Sequence, residues 1–118
     1  MQLTINARET QGVAILELNG RIQLGEEVDS VRKMIRDLVD QGHKEVSLNL
    51  EQVVRIDSTG IGMLVETVIY TVKHGGHLTL FNVPRLVRSI LSTHRLLQAF
   101  DIHGSEADAL AAYAKAAP

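Results

Sequence analysis

The sequence VVRIDSTGIG, residues 53–62, joins a short apolar run to the start of a strongly periodic helix. From Ile61 onward, apolar side chains recur at helical spacing, which predicts that one face of the helix packs against a core. These side chains are Ile61, Leu64, Val65, Val68, Ile69 and Val72. The polar triplet 57–59 therefore lies at the helix entrance, where unpaired N–H groups and aligned peptide dipoles create partial positive charge. A hydroxyl at this entrance can cap the helix, or it can carry a phosphate.

The composition is that of an ordinary globular domain without disulfide bonds. The chain has 118 residues, of which 45% are hydrophobic and 22% charged, enough for one domain with its own core. It contains no cysteine, which excludes disulfides and thiolate metal sites. The formal net charge of −2 argues against a strongly basic nucleic-acid-binding surface. No apolar run approaches the roughly 18 residues of a membrane span, and no signal peptide opens the sequence, so we expect a cytoplasmic protein.

The first half of the chain predicts three strands and one helix before the central helix. Alternation from Leu3 to Arg8 indicates a strand, and residues 9–12 a turn. A second strand spans Val13–Leu18 and is closed by Asn19-Gly20, with a loop over residues 21–25. A helix then buries Val28, Val31, Ile35, Leu38 and Val39 and stops at Gly42. A third strand follows at residues 46–50.

The second half predicts two more strands, each followed by a helix. The central helix ends near residues 74–76, and residues 78–81 form a strand. Residues 82–84 form the entrance of a helix whose apolar face is Leu86, Val87, Ile90 and Leu91. A short strand at residues 100–102 precedes a last helix, which Ser105 and Asp108 open as a capping box.

Alternating strands and helices predict crossover connections and parallel strand pairs. The two opening strands are close enough in sequence to form an antiparallel hairpin. The expected fold is therefore α/β: a small mixed sheet with about four helices packed mainly on one face. It is a single domain over residues 1–118, with a core from about residue 3 to residue 113.

The segment VRIDSTGIGML, residues 54–64, resembles the signature of the STAS domains of bacterial anti-sigma factor antagonists. In that family an apolar run meets Asp-Ser-Ser/Thr-Gly at the start of a helix. The resemblance continues through GGHLTLFN at residues 75–82 and FDI at residues 100–102, so it covers essentially the whole chain. The tetrapeptide alone is a weak signal, but its position between a strand-like run and a periodic helix is specific.

The resemblance implies that Ser58 is phosphorylated by a partner that is both an anti-sigma factor and a serine kinase. The unphosphorylated form would bind that partner and release a sigma factor, which would regulate transcription, and a phosphatase would reset the switch. The residues expected to flank the phosphosite or to bind the partner lie in three segments. They are Gln23, Asp57, Thr59, Gly60, Ile61, Gly62 and Glu66.

Each of these residues also has a purely structural interpretation. Ser58 or Thr59 can simply cap the helix, and Asp57 can cap it instead of orienting the serine. Gly60 and Gly62 can admit a partner's backbone, or they can only ease the turn and the packing of helix on sheet. Gln23 departs from the family pattern, because many members carry an aspartate soon after the glycine that ends the second strand. That departure weakens the inference that this loop assists phosphorylation.

Catalytic motifs are absent from the sequence around Ser58. Ile56 stands where a Gly-x-Ser-x-Gly elbow needs glycine, and Val65 stands where a dinucleotide fingerprint needs it. The five histidines do not form a ligand set, so we expect no enzyme, no cofactor and no metal. Two alternatives stay open: a STAS subunit of a lipid transporter or signalling scaffold, and a small serine hydrolase. The oligomeric state is not predicted.

Overall fold

The computed structural model describes residues 3–116, and within this range the chain forms six strands and four α-helices. In chain order they are β1 (Leu3–Thr10), β2 (Val13–Ile22), α1 (Glu26–Asp40), β3 (Glu45–Asn49), β4 (Val53–Ile56), α2 (Ser58–Lys73), β5 (His77–Phe81), α3 (Arg85–Thr93), β6 (Asp101–His103) and α4 (Glu106–Ala116). The backbone N–H of Asp108 donates to the Ser105 hydroxyl oxygen at 3.1 Å, as the capping signal predicts.

The strands form one mixed sheet in the order β1-β2-β3-β5-β6. β1 and β2 are an antiparallel hairpin, whereas β3, β5 and β6 run parallel to β2. The remaining strand, β4, pairs in parallel with the last residues of β2, beyond the part of β2 that pairs with β3. The expected mixed sheet with an N-terminal antiparallel hairpin is confirmed.

The helices cover the two faces of the sheet unequally. Helices α1, α2 and α3 bury their apolar residues on one face, in a large core that includes Leu16, Leu48 and Leu80 of the sheet. Helix α4 packs on the other face, where Tyr113 joins a small second cluster with Phe81. The Tyr113 hydroxyl donates to the Val46 carbonyl oxygen at 2.6 Å, and burial raises the pKa of that hydroxyl. Helix packing mainly on one face is therefore confirmed.

Two strand boundaries differ from the sequence-based expectation. β2 does not end at Asn19-Gly20 but continues to Ile22, so the connecting loop begins at Gln23 and not at Arg21. Gly20 has a φ of 118°, and the register with β4 shifts between Gly20 and Arg21. Because glycine tolerates this conformation, the residue bends the strand without ending it. The run at Val53–Ile56, not counted among the expected strands, is the strand β4.

The buried face of α2 includes Ile61 and Leu64 as expected, but it differs from the expectation further along the helix. Thr67 and Thr71 are fully buried, whereas Ile69 is 48% exposed and Val72 is 56% exposed. The Thr67 hydroxyl donates to the Leu64 carbonyl at 2.9 Å and the Thr71 hydroxyl to the Thr67 carbonyl at 2.7 Å. Each threonine therefore satisfies its polar group within the helix and offers a methyl group to the core. In α3, likewise, Leu86 of the expected apolar face is exposed.

The C-terminal end of α2 is pressed against the sheet through Gly76. A Cβ atom at this position would lie 2.4 Å from the carbonyl oxygen of Lys44, so only glycine permits the approach. The Gly76 N–H donates to the Thr71 carbonyl at 2.8 Å and closes the helix end. The helix is thus fixed at its exit by direct backbone contact.

Candidate functional site

The candidate site lies at the carboxyl ends of β2 and β4, where β4 leads directly into α2. A single residue, Asp57, separates the strand from the helix and serves as the helix N-cap. Its backbone N–H donates to the Ile22 carbonyl oxygen at 3.1 Å, which ties the ends of the two strands together. The helix entrance is therefore held by the sheet itself and not by a free loop.

The Asp57 carboxylate joins two segments. One oxygen, Oδ1, accepts from the backbone N–H of Gly60 at 2.9 Å, and the other, Oδ2, accepts from that of Leu24 at 2.9 Å. Partial burial raises the pKa of Asp57, but the bonds from backbone N–H groups outweigh it, so the pKa lies below its usual value. Of the two interpretations of Asp57, the helix cap is the one that the geometry supports directly.

Ser58 is the first residue of α2, and its side chain is exposed. Because Asp57 supplies the cap, the Ser58 hydroxyl is not needed for that purpose, and the interpretation of Ser58 as the helix cap is wrong. Thr59 follows and is half-buried. The neighbouring partial positive charge of the helix entrance favours an anionic group at Ser58.

The two glycines of the segment have different surroundings. A Cβ atom at Gly60 would lie 2.5 Å from the Ile22 carbonyl oxygen and 2.8 Å from side-chain atoms of Ile22 and Ile56, whereas a Cβ atom at Gly62 would have no atom within 4 Å. Gly60 therefore allows α2 to pack closely against the sheet, whereas a side chain at position 62 would meet no neighbouring atoms. Between them, Ile61 is 7% exposed and belongs to the core, so it offers little surface to a partner.

The two remaining predicted residues, Gln23 and Glu66, lie in different surroundings. Gln23 is half-buried in the short loop between β2 and α1, beside the Leu24 N–H that binds Asp57. Glu66 lies eight residues after Ser58, roughly 12 Å along the helix, and its carboxylate pairs with Arg32 of α1 at 3.2 Å. The structure thus brings Gln23, Asp57, Ser58 and Thr59 together, and places Glu66 at the α1–α2 contact.

Two exposed apolar residues at this end of the molecule were not predicted from the sequence. Leu24 is 80% exposed and Val54 is 61% exposed. The signal for Leu24 was a large apolar residue within an expected loop, whereas the exposure of Val54 depends on the strand pairing of β4. The histidine contacts found within residues 3–116 do not involve Ser58, and the same residues contain no group of three or more acidic or histidine side chains that could hold a metal ion.

Replacing Asp57 with alanine should lower the free energy of unfolding by about 1–2 kcal/mol, because both backbone N–H groups lose their acceptor. Asp57→Ser should cost less, since serine can still cap the helix but cannot reach Leu24. Chemical denaturation measures both variants. Equal losses for alanine and serine would contradict the contribution of the helix cap, and an Asp57→Ser variant as stable as the unsubstituted protein would contradict a contribution from the Leu24 bond.

The lowered pKa of Asp57 determines how the contribution of this residue to folding stability changes with pH. The charged carboxylate contributes stability above the unfolded-state pKa of about 3.9, and that contribution is lost as the pH falls through the lower folded-state value. The stability difference between the unsubstituted protein and Asp57→Asn should therefore shrink below about pH 4. If the stability difference between the two proteins were the same at acidic and neutral pH, the charged Asp57 carboxylate would not be the source of that stability.

Comparison with known proteins adds a family and several similar folds. A family model described as the STAS domain matches residues 4–109. A Thermotoga maritima protein proposed to be an anti-sigma factor antagonist is 23% identical, with a TM-score of 0.84 over 92% of both chains. An anti-sigma factor antagonist from Mycobacterium paratuberculosis is 20% identical, with a TM-score of 0.82 over 94% of this chain and 93% of that one.

SpoIIAA, an anti-sigma factor antagonist, is similar in two chemical states. Its unphosphorylated form is 16% identical, with a TM-score of 0.73 over 98% of this chain and 99% of that one. Its phosphorylated form, from Bacillus, is 19% identical, with a TM-score of 0.72 over 93% and 99%. At these identities the likeness shows a shared fold. No curated protein sequence matches the chain. The helices within residues 3–116 are all too short or too polar to cross a membrane.

Proposed function

The chain belongs to the STAS domain family, and from that premise we propose that it is an anti-sigma factor antagonist switched by phosphorylation of Ser58. The unphosphorylated form binds an anti-sigma factor that is also a serine kinase, and so frees a sigma factor for transcription. A phosphatase restores the binding form. The protein acts in the cytoplasm as a binding module and not as an enzyme, and it needs no cofactor.

The observation that carries this proposal is that Asp57, and not Ser58, caps helix α2. The neighbouring Ser58 is an exposed residue whose hydroxyl is not the helix cap. A kinase can reach such an oxygen without opening the fold. The similarity to SpoIIAA, which exists in unphosphorylated and phosphorylated forms, adds support.

Phosphorylation at this position acts on docking and leaves the fold intact. A phosphate adds roughly 1.5 to 2 negative charges, and at a helix N-terminus negative charge is favourable by about 0.3–1 kcal/mol. The helix is therefore not melted. The phosphate instead obstructs the surface around Ser58 by its bulk and its charge, and a penalty of about 1.4 kcal/mol already weakens binding tenfold.

The test is intact-mass measurement after incubation with ATP and a candidate anti-sigma factor kinase, chosen from the genes that neighbour this one. We expect one phosphate per chain, mapped to Ser58 by peptide analysis and lost in Ser58→Ala. Thr59→Ala is the matched control, because Thr59 lies beside Ser58 at the same helix entrance, and it should still be phosphorylated. Incorporation that persists in Ser58→Ala, or that disappears only in Thr59→Ala, would overturn the assignment.

A further inference from the structure

The solvent-facing side of α2 is aliphatic over the second half of the helix. Val65, Ile69 and Val72 follow one another at i, i+4 and i+7, which places them on one face of the helix. Ile69 is 48% exposed and Val72 is 56% exposed, whereas Val65 and Val68 are half-buried. Val68 lies one turn before Val72 and adjoins the same face. We call these four residues the α2 patch.

The isolated domain gains nothing from this patch. The neighbouring helix α1 is of similar length, 15 residues against 16, and its exposed residues are all polar. They are Glu26, Asp29, Ser30, Lys33 and Asp40. Valine and isoleucine are also weaker helix formers than lysine or glutamate, because their branched side chains lose rotamer freedom. Exposed Ile69 and Val72 therefore point to a surface that another protein covers.

Two opposite charges flank the α2 patch. Glu66 and Lys73 are seven residues apart, about two helical turns, and so lie on the same side of the patch. The Glu66 carboxylate pairs with Arg32 at 3.2 Å and Arg36 at 4.0 Å, both through Oε2, and it is half-exposed. Lys73 is exposed, and no carboxylate within residues 3–116 lies in ion-pair distance of it.

We propose that a second copy of this chain docks antiparallel on the α2 patch. A two-fold axis between Ile69 and Val72 brings Ile69 against Val72 of the second copy, and the same contact occurs twice. It also brings Glu66 opposite Lys73 of the second copy, because antiparallel helices pair equivalent flanks. This complementarity of the surface to itself favours a second copy over an unrelated protein.

The dimer contact leaves the helix entrance accessible. Ile69 lies eleven residues after Ser58, roughly 16 Å along the helix. Because the two helices run in opposite directions, the two Ser58 residues lie at opposite ends of the dimer. The proposal therefore goes beyond the function proposed for Ser58 and does not depend on it.

The first test is sedimentation equilibrium of the whole chain over a range of concentrations. A contact between two helices is small, so we expect a weak dimer with a dissociation constant of about 1 µM to 1 mM. Ile69→Lys should weaken the dimer about tenfold or more, because it places a charge in the apolar contact. Leu86→Lys is the matched control, since Leu86 of α3 is 49% exposed, and it should dimerise as the unsubstituted protein does.

The second test exchanges the flanking charges. Glu66→Lys alone and Lys73→Glu alone each place like charges opposite one another, so each protein should dimerise about tenfold more weakly. An equal mixture of the two variants should recover the dimer, because both pairs are again of opposite charge in the mixed dimer. Amide spectra of each variant verify that the fold is kept.

Four outcomes would overturn the proposal. They are a monomer at every concentration, a dimer that Ile69→Lys leaves unchanged, equal weakening by Leu86→Lys, and a mixture of charge variants that associates no better than either alone. If the amide signals of the α2 patch shift only when a candidate anti-sigma kinase is added, the occupant is that partner and not a second copy. The role of Ser58 is tested separately, by phosphate incorporation.

Discussion

Gly60→Ala should destabilise the fold by about 1–3 kcal/mol, because an added methyl group would collide with the end of β2. The nearest atom is the carbonyl oxygen of Ile22, 2.5 Å from the position of the new Cβ. This oxygen also accepts the N–H bond from Asp57, so it cannot move without loosening the link between strand and helix. The collision therefore has to be relieved by displacing the first turn of α2.

The matched control for this prediction is Gly62→Ala, two residues further along the same helix. The added Cβ meets no atom within 4 Å, and alanine is a better helix former than glycine by about 1 kcal/mol. We therefore expect Gly62→Ala to be neutral or stabilising. Thermal unfolding should separate the two variants clearly, since 1 kcal/mol corresponds to roughly 4 °C for a domain of this size. Equal melting temperatures would show that Gly60 is not needed for the packing of α2 on β2.

Ser58→Glu should weaken binding of the anti-sigma partner about tenfold to a hundredfold, whereas Ser58→Ala should bind as tightly as the unsubstituted protein. The glutamate adds negative charge at the exposed entrance of α2, as a phosphate would do with greater charge. Because negative charge is compatible with a helix N-terminus, the variant should fold normally. The effect would then lie in docking, and binding calorimetry with the partner measures it.

The control for Ser58→Glu is Ser30→Glu, which adds the same charge at an exposed serine of α1. It should leave partner binding unchanged. Loss of binding in Ser30→Glu would indicate a general effect of net charge. Equal binding by Ser58→Ala and Ser58→Glu would exclude Ser58 as the position that the partner reads.

The order of elements, apart from β4, and the class of the sheet were predictable from sequence, but the full buried face of α2 was not. Apolar residues outside the expected stripe, such as Met63 and Tyr70, also occur on this helix, so periodicity alone does not fix its buried face. The core takes Thr67 and Thr71, whose hydroxyls are satisfied by carbonyls one turn earlier. A sequence pattern that treats threonine as polar therefore identifies Ile61 and Leu64 correctly, but it also leaves Ile69 and Val72 in the expected core although they are exposed.

The continuation of β2 past Gly20 had a similar cause. Asn-Gly is a common strand terminator, and the bend that Gly20 introduces satisfies the same local preference. What carries the chain onward is pairing with β4, which lies more than thirty residues away in sequence. Local signals cannot report such a partner, and for the same reason the pairing of Arg21 with Arg55 became visible only in the structure.

The candidate site was predicted as a segment but not in its detailed roles. The sequence placed Asp57, Ser58 and Thr59 at a helix entrance, where the structure places them. It left open which residue caps the helix, because aspartate and serine are both good caps. It also could not distinguish Gly60 from Gly62, since the difference depends on the distance to a carbonyl of another strand.

Glycines allow close backbone approach at the start of α2, where Gly60 lies near Ile22, and just beyond its last residue, where Gly76 lies near Lys44. These contacts leave the helix little room to move relative to the sheet. A charge added at Ser58, by a phosphate or by Ser58→Glu, should therefore be felt at the entrance of α2 and not at the far end of the helix.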